Sequence, residues 1–129
     1  MRLLPLPEAR TAKMGRMVYT PPETREVADL PARLRAMDGL GVDIQVCHPT
    51  IFIERITDKA ATEVALCRSW NRWMAEAWAE GEGRIRWTCA LPLLAMDEAL
   101  TELRWCVEHG AVGVFTRAIE GNRLLNDPY

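Results

Sequence analysis

His48, Thr50 and Arg117 are the residues of this sequence best placed to touch a substrate. His48-Pro49-Thr50 follows the β-rich run 42–47, and Thr116-Arg117 follows the run 112–115. Pro92-Leu93 stands in the same relation to the run 84–91. In parallel α/β architectures, ligands gather at the carboxyl ends of strands. An imidazole at such an end can serve as ligand, acid or base; the competing role for His48 is a loop histidine bonded to backbone. Thr50 adds a hydroxyl for orienting a substrate. The guanidinium of Arg117 is planar and permanently charged, so it can grip a carboxylate through two parallel hydrogen bonds. An ion pair within the chain would engage the same atoms. Glu120 is a weaker candidate. His109 precedes Gly110 at a helix end, where a cationic ring meets the negative pole of the helix, a structural role.

Other chemistries lack their residues. No G-x-G-x-x-G follows a strand, and no phosphate-binding lysine loop or G-x-S-x-G elbow occurs. With two histidines and no H-x-H, the chain has no residue to nominate as catalytic or as a metal ligand. Cys47 adjoins His48, but neighbouring strand residues point to opposite faces. The four cysteines, at 47, 67, 89 and 106, are spread singly through apolar patterns. They read as buried thiols of a cytoplasmic protein.

The surroundings must come from one ordinary domain: 129 residues, 49% hydrophobic and 26% charged. A net charge of −2 makes no case for a nucleic-acid partner. No apolar run approaches the ~20 residues of a membrane span. The opening Met1–Pro7 is broken by proline too early for a secretory leader.

Residues 1–25 carry four prolines and read as an irregular arm or loop, leaving 26–129 as the domain. Thr24 is positioned to cap a helix over 25–40, with Pro31 as an alternative start and Gly39 and Gly41 as its end. A strand over 42–47 follows, then a helix from Thr57 or Asp58 to Gly81. Its stripe holds Val64, Cys67, Met74 and Trp78, flanked by Leu66, Trp70, Trp73 and Ala77. A strand over 84–91, a helix over 96–109 and a strand over 112–115 complete the series. In the 96–109 helix, Ala99, Leu100, Leu103, Cys106 and Val107 form the apolar face. Gly121-Asn122 and Asn126-Asp127-Pro128 signal turns. Alternation of this kind implies an α/β fold with about three parallel strands joined through covering helices.

Four stretches in series resemble one family. They are 37–46 with Pro49-Thr50, Trp70-Asn71-Arg72-Trp73-Met74-Ala75, 84–87 with Leu91-Pro92-Leu93, and 109–115. They are similar, from about Met17 to Tyr129, to the amidohydrolase-related, metal-dependent TIM-barrel group that includes aminocarboxymuconate-semialdehyde decarboxylase. The resemblance implies a partial (β/α)₈ barrel, with the strands here as the second to fourth. Residues 1–25 would then fall in the segment after the first strand. It also implies a hydrolase or decarboxylase acting on a small carboxylated cyclic or aromatic substrate. In that family a divalent metal, zinc or manganese, is held by H-x-H after the first strand, His after the fifth and Asp after the eighth. None of these positions is matched here, so no metal is expected on this chain alone. Asn71 matches the family's helix motif, in a structural role. A full barrel needs ~250 residues, so the resemblance is to a fragment, whose exposed sheet edges invite self-association. The alternative is a self-contained small α/β binding or interaction module without catalysis.

Overall fold

The computed structural model describes residues 27–120, 123–124 and 126–128. The expected arm over 1–25, Thr24 and the Gly121-Asn122 turn lie outside them. Helix α1 spans Leu30–Leu40. It begins later than the apolar spacing predicts because Pro31 has no N–H to give and crowds any turn before it. The cap is Asp29, whose carboxylate accepts the Ala32 N–H at 2.9 Å. Gly41, at φ 66°, closes the helix in the left-handed region, and the Val42 N–H returns to Met37 O at 2.9 Å.

Strand β1 is short, Gln45–Cys47. The expected strand loses its first half to Arg84, whose guanidinium takes the Val42 and Asp43 carbonyls at 2.8 and 2.9 Å. Arg84 also pairs with Asp38 at 2.7 Å, so one side chain fastens the α1–β1 turn to the next strand. After a 3₁₀ turn at Thr50–Ile53 comes α2, Ala60–Glu80. Thr57 supports its approach by accepting the Lys59 N–H at 3.1 Å. Strand β2 is Ile85–Ala90, α3 is Met96–Glu108 and β3 is Ala111–Phe115. Two short strands follow, β4 at Ile119–Glu120 and β5 at Arg123–Leu124, paired antiparallel.

Strands β1, β2 and β3 form one parallel sheet in that order, with a register shift between Trp87 and Thr88. Crossovers between parallel strands are right-handed as a rule, and two that advance in one direction put both helices on one face. The core agrees: Ile85, Trp87 and Cys89 of β2 meet Leu30 and Met37 of α1, Met74 and Ala77 of α2, and Cys106 of α3. Trp87 is fully buried there, and its indole N–H has no acceptor among the described residues. On the other face Ile44 and Val46 are exposed, Arg86 stands beside Val46, and Gly113 stands beside Thr88. No described helix covers it. The sheet is open, with β1 and β3 at its edges.

The helix faces depart from the apolar pattern at specific points. Cys67, Met74 and Ala77 of α2 are buried, but Leu66 and Trp73 are exposed. In α3 the buried line is Ala99, Glu102 and Cys106, which turns Leu100 and Val107 outward. Glu102 belongs to that line because it is paired. Its carboxylate receives Arg72 at 2.6 and 3.0 Å, Asn71 at 2.9 Å and Arg68 at 3.4 Å. Asn71, also fully buried, donates to Ala90 O at 2.9 Å and accepts Ala90 N–H at 3.0 Å. The end of β2 is thereby fastened to both helices. Arg72 lies 3.3 Å from the Trp105 ring centroid, and His109 stacks on the same indole at 3.8 Å.

Candidate functional site

Because the three strands are parallel, their carboxyl ends share one rim, and all three predicted site residues stand on it. His48 leaves β1 on the uncovered face, exposed, with Nδ1 3.0 Å from Thr88 Oγ1. The Thr88 hydroxyl makes a long bond to Cys47 O at 3.5 Å. In the tautomer that satisfies both contacts, Nδ1 carries the proton and Nε2 keeps its lone pair. Nε2 has no partner among the described residues. Thr50 is exposed one step on, and its backbone N–H donates to His48 O at 2.9 Å. The turn it opens seats Phe52 against Cys67 and Ala90, with Trp70 and Phe115 around them.

Arg117 reaches the same loop from the end of β3. Nη1 donates to Phe52 O and Glu54 O, both at 3.2 Å. Nε and Nη2 grip Glu120 at 2.9 and 2.6 Å. The ion-pair account of Arg117 is therefore the one realised among the described residues, and the group stays only 15% exposed. His48 and Thr50 are neighbours; no hydrogen bond joins either to Arg117.

Sequence reasoning missed Glu63 here. It is 4% exposed, accepts the Leu94 N–H at 2.8 Å and lies 3.8 Å from Arg117 Nη2. The available signal was its spacing: Glu63, Cys67, Asn71 and Met74 fall on one line of α2, and polar residues on a buried line must be paired. Glu63, Glu120 and Arg117, with Phe52, Leu93 and Phe115, surround a hollow of only about 10 Å³, room for about one water. A larger groove, about 420 Å³, runs beside α1 and the start of the sheet, lined by Arg33, Met37, Leu40, Ile44 and Val46 among others.

The metal implied by the sequence resemblance finds no ligand set on this rim: among the described residues no three His, Cys, Asp or Glu side chains gather in a way that would hold an ion. His109 is occupied elsewhere, its Nδ1 donating to Trp105 O at 2.7 Å. The thiols are poorly suited: Cys89 is lowered by its hydrogen bond with Cys106 but is only 1% exposed, and the other three are raised. Burial, with Glu63 and Glu102 nearby, pushes Cys67 up to about 12, and burial raises Cys47 despite Arg33. Cys106 is raised by its hydrogen bond with Cys89 and by burial. Since the thiolate is the reactive form, iodoacetamide at pH 8 is expected to label the native protein slowly. All four free cysteines should react at once in denaturant. Rapid native labelling of Cys67 would contradict its burial.

No helix among the described residues is long and apolar enough to cross a membrane. The chain matches no protein-family model and no curated protein sequence.

Proposed function

We propose that this chain is a three-strand portion of an amidohydrolase-type (β/α)₈ barrel, a hydrolase or decarboxylase of small carboxylated aromatic or cyclic substrates. The observation that carries the reading is the one-sided sheet. Strands in chain order, helices on a single face and an opposite face that no described helix covers are the local geometry of a barrel wall, in which that face becomes the interior. His48, Thr50 and Arg117 share the rim where such barrels bind their substrates. In this reading the His48 Nε2 lone pair accepts a hydrogen bond or proton from the substrate, Thr50 orients it, and Arg117 binds its carboxylate. A divalent metal, zinc or manganese, would polarise the substrate in the complete enzyme. Its ligands belong to barrel units other than these three. A cytoplasmic location goes with this reading, supported by the four unpaired cysteines.

The DNA flanking the coding segment provides the first test. An in-frame H-x-H upstream, or a strand ending in His downstream, is the expected result; stop codons in every frame on both sides would count against it. The second test is metal analysis of the chain expressed alone without a histidine tag. Near-stoichiometric zinc or manganese, lost on His48→Ala, would overturn the reading.

Self-association is also expected, because β1 and β3 each leave a strand edge unpaired within the described sheet. Sedimentation velocity should show mass rising with protein concentration. A strictly monomeric chain across that range would argue that something else covers those edges.

A further inference from the structure

We propose that Arg117 forms a carboxylate-recognition site that Glu120 holds shut, so that an incoming carboxylate and Glu120 compete for the same edge of the guanidinium. The inference rests on the reading above, in which Arg117 receives a substrate carboxylate. It adds that the site is occupied from within.

Two sets of contacts divide the guanidinium. Nη1 is fixed by backbone, the Phe52 and Glu54 carbonyls at 3.2 Å. These bonds hold the plane of the group whether or not Glu120 is present. The Nε–Nη2 edge is the one that matches a carboxylate's two oxygens, and Glu120 fills it at 2.9 and 2.6 Å. Glu63, 3.8 Å from the same Nη2, is too distant for a hydrogen bond and is already committed to the Leu94 N–H.

The walls describe the visitor. Phe52, Leu91, Leu93 and Phe115 line the hollow beside Arg117. With Glu120 withdrawn, these apolar side chains and Arg117 remain beside Glu63, whose carboxylate is bonded to the Leu94 N–H. Such a lining suits an apolar body bearing one carboxylate. The hollow is only about 10 Å³, so such a ligand enters only when the Glu120 side chain leaves. Glu120 sits on β4, which pairs with β5 and with no strand of the main sheet, so its withdrawal breaks no bond of that sheet. Charge also favours exchange over addition. Arg117 already faces Glu63 and Glu120, and replacing one carboxylate by another leaves the local charge unchanged.

If the shut form outweighs the open one about ten to one, removing Glu120 raises apparent carboxylate affinity about tenfold, because affinity scales with the competent fraction. Benzoate, propionate and the neutral benzamide are titrated by calorimetry into the wild type, Glu120→Ala and Glu120→Ala/Arg117→Met. The expected result is a roughly tenfold gain for benzoate in Glu120→Ala, no gain for benzamide, and loss of the gain in the double variant. Equal benzoate affinity in wild type and Glu120→Ala overturns the proposal, as does a gain that survives Arg117→Met. If Glu120→Ala fails to fold by circular dichroism, Glu120→Gln takes its place, and absence of any gain there has the same force. Propionate binding as tightly as benzoate in Glu120→Ala would leave the shut site standing and overturn the aromatic substrate class of the reading beneath it.

Discussion

Gly110→Ala is expected to destabilise the protein by about 3 kcal/mol, combining left-handed backbone strain with overpacking. Gly110 joins α3 to β3 at φ 86°, a conformation that L side chains resist. A Cβ built there would meet the Trp78 ring at 2.4 Å, and that ring is packed against the core. Neither contact is the free end of a flexible chain, so one element would have to shift. Urea denaturation measures the loss directly. Trp78→Ala/Gly110→Ala should lose less than the two single losses added together, because removing the indole removes the clash. Strict additivity would show that backbone strain alone is responsible.

Asn71→Leu is the second large effect, about 3 kcal/mol, from buried polar groups left without partners. It strands both the N–H and the C=O of Ala90 and takes one hydrogen bond from Glu102. Glu102→Gln probes the same knot by charge, with an expected loss of about 2 kcal/mol at neutral pH, discounted for the half-exposed arginines. Burial alone would raise this carboxyl. The Arg72 and Asn71 hydrogen bonds, with the charge of Arg72 and the bond from Arg68, outweigh it and hold the group below its ordinary 4.5. A carboxyl held lower in the folded state than in the unfolded state stabilises the fold above its unfolded value. That contribution fades as pH falls through the folded value. The stability gap between wild type and Glu102→Gln should therefore be constant above about pH 5.5 and shrink on acidification below the ordinary carboxylate range. A gap that widens in acid would mean that Glu102 is stabilised as the neutral acid.

The order of elements was legible because helix and strand periods differ and glycine and proline punctuate them. Gly41, Gly81 and Gly110 each follow a helix closely. The two-residue pairing of β4 with β5 was not anticipated, since segments so short carry no period. The shortened β1 was equally hidden: Arg84 lies some 40 residues beyond the carbonyls it captures, and a single arginine announces no partner. Asn71 was legible as structural from the helix motif, but Glu63 and Glu102 were overlooked for a related reason. Polarity read one residue at a time assigns them to water, whereas their burial depends on pairing between α2, α3 and strand ends. At the site, the chemistry of Arg117 was legible from its type and position. That its fork closes on Glu120, three residues on, became visible only in the fold.

Strand order in the sheet is also the order of the chain. Each strand can dock on an edge already standing when it leaves the ribosome, and none has to be threaded between two that are already joined. The wall can thus be laid course by course during synthesis, from β1 towards β3, with each crossover helix closing over the strand just added.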